Sequence, residues 1–279
     1  MIRAFVVGHP VAHSRSPLIH GHWLDAFGLD GRYDRIDVAP ERFPEFLSTL
    51  RDQGLAGGNV TIPHKEAAFG LVEVLTPHAE RIGAVNTLYF DASGRLTGDN
   101  TDGLGFIAHL DQTLGLDWTR RGDGSAVVLG AGGAARAIVV GLLDRGIRRI
   151  HVSNRTSERA RSLLSLDPER VSVVDWGELP LVLKQAGLLV NTTSLGMVGH
   201  PPLVLDLNRL PPDAAVADIV YAPLETALLA AARARGLVAV DGLGMLLHQA
   251  VPGFERWFGH RPSVTPALRA RIVSDLVPA

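Results

Sequence analysis

Four short polar clusters in the first part of the chain hold the residue types that bind and turn over a hydroxylated molecule. They are Gly8-His9-Pro10-Val11-Ala12-His13-Ser14-Arg15-Ser16-Pro17, Asn59-Val60-Thr61-Ile62-Pro63-His64-Lys65, Gly83-Ala84-Val85-Asn86-Thr87 and Gly98-Asp99-Asn100-Thr101-Asp102-Gly103. Hydroxyls, amides, one lysine and one aspartate converging from such loops would line a pocket for ring hydroxyls, each of which costs about 1–3 kcal/mol if buried unpaired. Converting an alcohol to a ketone also needs a group that takes the hydroxyl proton and returns it in the reverse direction. Lys65 is the candidate, with Asp102 as the carboxylate that orients it. Each residue also has a plainer reading: a solvated lysine, an Asx-turn aspartate before Gly103, and Ser16 as a helix cap before Pro17. His9, His13 and His64 lack the spacing and acidic escort of a metal site and read as structural or peripheral, so no metal is expected.

A second chemistry is written in Ala126-Val127-Val128-Leu129-Gly130-Ala131-Gly132-Gly133-Ala134-Ala135, a buried strand joined to a helix through glycines. Gly130 permits the tight turn, Gly132 lets backbone approach a pyrophosphate, and the small Ala135 allows close helix packing. The helix that follows presents free amides and the positive end of its dipole to the phosphates. The next strand ends in Ser153-Asn154-Arg155-Thr156-Ser157-Glu158-Arg159, where an NAD site would carry an acid for the ribose 2′-hydroxyl. Arg155 and Arg159 suit a 2′-phosphate through charge-assisted hydrogen bonds, so the cofactor is expected to be NADP. The plain alternative is two solvated surface arginines.

These clusters need elements to carry them. With 279 residues and 46% apolar content the chain can bury one large core or two modest ones, and short β-rich runs alternate with helical stretches throughout. Strands are expected over 2–7, 32–38, 57–62 and 87–90, with helices from Pro17 and Pro44 between them. Further strands over 126–129, 149–153, 171–174, 188–191, 215–219 and 238–240 alternate with helices, as in a doubly wound parallel sheet. Residues 245–258 and 266–276 read as helices. A chain without cysteine cannot use disulfides, thiolate catalysis or cysteine-bound metal, and suits a reducing compartment. A net charge of −2 offers no field for nucleic acid, and no apolar run is long enough for a membrane span. The opening residues read as a strand without an export leader, so a cytoplasmic location is expected.

Taken together and in order, the motifs resemble the shikimate dehydrogenase family. The residues that carry the resemblance are His13-Ser14-Arg15-Ser16-Pro17, Asn59 to Lys65, Gly83 to Thr87, Asn100-Thr101-Asp102, Gly130 to Ala135, Asn154-Arg155-Thr156, Asn191-Thr192-Thr193-Ser194-Leu195-Gly196-Met197 and Asp241-Gly242-Leu243-Gly244-Met245-Leu246-Leu247-His248-Gln249. The resemblance implies reversible NADPH-dependent reduction of 3-dehydroshikimate, with Lys65 as proton-transfer residue and Asp102 paired to it. It implies Ser14 and Ser16 on the substrate carboxylate, and Asn59, Thr61, Asn86, Tyr221 and Gln249 on its hydroxyls. The cofactor residues would be Gly130, Ala131, Gly132, Gly133, Ala134, Asn154, Arg155, Thr156, Arg159, Thr192 and Ser194, with Ile219 and Gly242 near the nicotinamide. It implies an α/β substrate domain over 1–104, completed by returning helices over 243–279, and a Rossmann-type NADP domain over 105–242, in a monomer or homodimer. Relatives that act on quinate or aminoshikimate share most of these motifs, and a sensor that binds NADPH without catalysis is the reading from another class. A sensor has no need of the Lys65 and Asp102 pair.

Overall fold

The computed structural model describes residues 1–276; the expected C-terminal segment reaches 279, and residues 277–279 lie outside the described residues. The chain packs as two units, one formed by residues 1–101 together with the segment from Leu247 onward, the other by Asp102–Leu246.

In the first unit the apolar run of β1 (Ile2–Gly8) is buried over its last five residues, as a central strand must be. Its neighbour β2 (Gly31–Asp37) alternates, with Tyr33 buried between more exposed residues. The remaining strands are β3 (Leu55–Val60), β4 (Val74–Leu75), β5 (Thr87–Phe90) and β6 (Leu96–Asp99), in the order β2-β1-β3-β5-β6-β4. Strands β1, β2 and β3 run parallel, whereas β5 is antiparallel to both β3 and β6. Two of these strands were not expected. β4 has only two residues, too few for any periodicity, and β6 lies in a Gly- and Asp-rich stretch, where Asp91 accepts from the amides of Ser93 and Arg95 in the hairpin that joins it to β5. Helices α1 (Ser16–Phe27), α2 (Phe43–Ser48), α3 (Lys65–Leu71) and α4 (Pro77–Ile82) connect them. Ser16 does not cap α1 as expected: the N-cap position is Arg15, and Ser16 lies one residue inside the helix. Phe5, Val7, Phe43, Leu50, Val60 and Leu88 form the core.

The second unit begins with α5 (Asp102–Leu114). Then come β7 (Ser125–Leu129), α6 (Gly133–Asp144), β8 (Arg149–Ser153), α7 (Ser157–Arg161), β9 (Val171–Val173), α8 (Leu179–Leu183), β10 (Ala186–Asn191), β11 (Ala215–Asp218), α9 (Ala227–Ala234) and β12 (Val238–Val240). All six strands are parallel, in the order β12-β11-β10-β7-β8-β9, which is the doubly wound arrangement with its switch point between β7 and β10. Both faces are covered. Ala126 and Val128 join one core with α6, while Val127 and Leu129 join another with α8 and α9, the period-two alternation of a strand. The chain ends with α10 (Leu243–Phe258) and α11 (Pro266–Leu276). The units divide at 101/102 and 246/247, a few residues from the expected 104/105 and 242/243. Helix α5 starts earlier than its apolar pattern, because Asp102 to Gly105 carry the first turn against α6, where the backbone at Gly103 meets the Ala137 carbonyl. No helix among the described residues is long and apolar enough to cross a membrane.

Candidate active site

In the first unit, the loops after β1 and β3 lie at the carboxyl ends of adjacent parallel strands, where sheets of this kind offer ligand-binding edges. The loops hold each other. The His9 amide donates to the Ile62 carbonyl at 3.1 Å and the Thr61 amide to Val7 at 2.9 Å. Ser14 Oγ donates to Ser16 Oγ at 3.2 Å, so the two hydroxyls expected to hold a carboxylate are neighbours. Arg35 fixes their segment by donating twice to the Ser14 carbonyl, at 2.9 and 2.6 Å. The Arg15 guanidinium between them turns away, to Asp275 of α11 at 3.0 Å and the His13 carbonyl at 2.7 Å. His9 meets Asp37 at 2.7 Å, and that hydrogen bond, with the Val11 amide, holds the Asp37 carboxyl below its usual range.

Lys65 is the first residue of α3 and is half-buried. Two bonds set its backbone: the Val85 amide donates to the Lys65 carbonyl at 2.9 Å, and the preceding His64 is buried, stacked on Phe43 at 4.3 Å with Nε2 donating to the Val38 carbonyl at 2.7 Å. His64 is therefore a structural residue. Next to Val85, the Asn86 side-chain oxygen accepts from Thr87 Oγ1 at 2.8 Å, from the Thr101 amide at 2.9 Å and from Thr101 Oγ1 at 3.2 Å. The segments that carry Lys65 and Thr101 are thus tied to consecutive residues, Val85 and Asn86, and Asp102 is the residue after Thr101. Thr101 Oγ1 also lies 2.9 Å from the Gln249 carbonyl on α10.

Asn59 closes this network from behind. Its Nδ2 donates to the Asn86 carbonyl at 3.1 Å and to Thr87 Oγ1 at 3.2 Å. A carbonyl can only accept, so the amide orientation is settled and Oδ1 takes the Tyr33 hydroxyl proton at 2.6 Å. Asn59, Asn86, Thr101 and Gln249 are all buried. Thr61 is half-buried beside Gly8, and Asp102 is 8% exposed at the start of α5. Tyr33 and Arg35 were missed by the sequence reading; the available signal was one aromatic in an otherwise charged strand.

In the second unit the turn after β7 holds Gly130 at φ +111°, and a side chain there would overlap the Thr192 hydroxyl. Thr192 is engaged in the turn, its amide and its hydroxyl both donating to the Leu129 carbonyl at 2.8 and 2.7 Å. Gly132 and Gly133 differ from Gly130: a Cβ at either would meet no protein atom within 4 Å. Protein packing does not require glycine there, and the space lies in front of the N-terminus of the 12-residue helix α6, whose free amides can receive a phosphate. Ala131 and Ala134 are half-buried in this turn, and Ala135 is fully buried beneath it. At the end of β8, Asn154 Nδ2 donates to the Thr156 carbonyl at 2.9 Å, which shapes the loop that exposes Arg155, Thr156 and Arg159. The one acid of α7, Glu158, lies 3.9 Å from Arg161.

At the ends of β10 and β11, Ser194 is exposed and Ile219 and Tyr221 are half-buried. A side chain at Gly242 would overlap the Ile219 carbonyl, so the chain's own packing accounts for glycine there. Beneath these loops lie Asn191 and Asp218, both missed as site residues. Their signal was a polar side chain ending each of two apolar buried strands.

Comparisons with known proteins agree over nearly the whole length. The family model described as shikimate dehydrogenase substrate binding domain matches residues 6–88, shikimate / quinate 5-dehydrogenase matches 119–198, and shikimate 5′-dehydrogenase C-terminal domain matches 242–270. A shikimate dehydrogenase (NADP(+)) of Methylobacterium radiotolerans is 67% identical over 274 residues, covering 98% of this chain and 97% of the relative. Among solved structures, a shikimate 5-dehydrogenase of Thermus thermophilus in complex with NADP(H) and shikimate is 38% identical with a TM-score of 0.85, covering 99% and 100% of the two chains. A quinate dehydrogenase of Corynebacterium glutamicum in complex with NAD is 33% identical with a TM-score of 0.89, covering 98% and 99%.

Proposed function

Because this chain belongs to the shikimate dehydrogenase family, we propose that it catalyses the reversible reduction of 3-dehydroshikimate to shikimate with NADPH. The observation that carries the reading is the buried network in which Asn86 joins the Thr101 backbone while its neighbour Val85 joins that of Lys65. It sets the two segments that bear a lysine and an aspartate on one support. Bound NADPH supplies the hydride. Lys65 gives its Nζ proton to the oxygen that becomes the alcohol, and takes it back in the oxidation. Asp102 orients that ammonium and accepts from a ring hydroxyl. Ser14 and Ser16 receive the carboxylate, and Thr61, Asn86, Tyr221 and Gln249 serve the remaining hydroxyls. Asn59 works from behind, with its amide spent on Asn86, Thr87 and Tyr33.

The first unit takes the acid and the second takes the dinucleotide. The room around Gly132 and Gly133 fits a pyrophosphate, and Arg155 and Arg159 fit a 2′-phosphate that a ribose hydroxyl would not reward. Ala131, Ala134, Asn154, Thr156 and Thr192 shape these two loops, with Ser194, Ile219 and Gly242 toward the nicotinamide. The chain acts on a small molecule, without nucleic acid, in the cytoplasm, as a monomer or homodimer. The test is nicotinamide absorbance with 3-dehydroshikimate and NADPH, repeated with NADH, and in reverse with shikimate against quinate. A higher kcat/KM for shikimate with NADP is expected; a preference for quinate would overturn the substrate assignment.

A further inference from the structure

Asp218 ends β11 with its carboxylate 1% exposed, and nothing in the reaction as described uses it. Three donors converge on it. Oδ1 accepts from Asn191 Nδ2 at 2.9 Å and from the Val220 amide at 3.0 Å, and Oδ2 accepts from Thr226 Oγ1 at 2.8 Å. Asn191, at the end of β10, spends its other donor on the Leu195 carbonyl at 3.1 Å and its oxygen on the Thr193 amide and hydroxyl, at 3.0 and 2.7 Å. The Val198 amide then donates to the Ala222 carbonyl at 3.0 Å, joining the two loops directly. One buried carboxylate therefore sets the loop after β10, the loop after β11 and the cap of α9 together. A buried charge is expensive to keep, and burial pushes this carboxyl upward while the three donors oppose it.

In a doubly wound sheet the half on one side of the switch point reads the adenosine, through the glycine turn and the end of the second strand. The other half is left for the nicotinamide, and here it is β10, β11 and β12. We propose that Asp218 is a positioning residue for the nicotinamide half of the cofactor, holding the loops after β10 and β11 in the arrangement that receives it. This rests on the NADP-binding reading above. An amide at this position keeps the shape but turns two hydrogens toward one of the donors, so Asp218→Asn disturbs the loops without emptying the core.

The experiment measures equilibrium binding of NADPH, by its fluorescence, and of 2′-phospho-ADP-ribose, the same molecule without nicotinamide, by calorimetry. Asp218→Asn is expected to weaken NADPH about tenfold and to leave the fragment within about twofold, because only the first ligand reaches these loops. Thr193→Val, at a half-buried loop position, removes the hydroxyl's bond to Asn191; it should move NADPH in the same direction and decides the matter if Asp218→Asn does not fold. A merely structural role would weaken both ligands together or neither, and either result overturns the proposal. A wild-type chain that binds neither ligand would overturn the NADP reading itself.

Discussion

At the scale of single residues, the roles proposed for Lys65 and for the pair Arg155 and Arg159 concern different ligands and can be tested separately. Lys65→Ala takes away the proposed proton donor while α3 keeps its backbone bond to Val85. The turnover number should fall by about 10²–10⁴-fold with NADPH affinity unchanged, as steady-state rates and a fluorescence titration would show. Near wild-type turnover would refute the role. Arg155 and Arg159 are exposed at the end of β8, and replacing both by alanine should raise the KM for NADPH by about 10- to 100-fold and leave that for NADH almost unchanged. An equal loss with both cofactors would mean that the arginines do not read the phosphate. Their candidacy was legible because they follow the second strand of a doubly wound sheet, where a cofactor's ribose is read. The braces were not: Tyr33 and Asp218, both buried, and the exposed Arg35 bond residues far away in sequence, and no local pattern announces a partner.

At the scale of elements, glycine turns and close helix contacts decide where the side chains are held. Helix α5 follows Thr101 directly and lies against α6 with the Gly103 backbone on the Ala137 carbonyl. Gly103→Ala would force that carbonyl away. Overpacking costs about 1–3 kcal/mol against roughly 1 kcal/mol gained in helix propensity. A net loss of up to about 2 kcal/mol should appear as a lower urea midpoint at unchanged slope. An unchanged midpoint would show that the two helices separate without cost. Strands with strong apolar runs, β1, β7 and β10, were readable from period and propensity. β4 and β6 were not, since a two-residue strand has no period and β6 lies in a Gly- and Asp-rich stretch, paired with β5 through the hairpin that Asp91 closes and with β4 on its other side.

At the scale of the molecule, one contribution to acid stability comes from a histidine that the proposed reaction does not use. His20 is fully buried, stacked on Tyr33 at 3.9 Å among Trp23, Phe254 and Trp257, and burial lowers its pKa to about 3, against a smaller opposing contribution from Asn59. The unfolded chain takes up this proton near pH 6.5 and the folded chain only near 3, so between these values unfolding binds a proton. Stability present above pH 6.5 is lost as the pH falls toward 3, by up to about 1.4 kcal/mol per unit. His20→Phe should flatten the fall in melting temperature across that window; an equally steep fall would assign it to other groups. What sequence alone determined is the inventory: an α/β chain, a glycine turn for phosphates, arginines in place of an acid, and a lysine and an aspartate in separate clusters, all properties of local spacing and residue type. Only the tertiary structure decided that Asn86 and Val85 gather the Lys65 and Thr101 segments, that Asn59 is spent as a brace, and that Asp218 locks two loops. Those outcomes depend on pairing between strands far apart in the chain, because a hydrogen bond forms between groups that packing makes neighbours, whatever their separation in sequence.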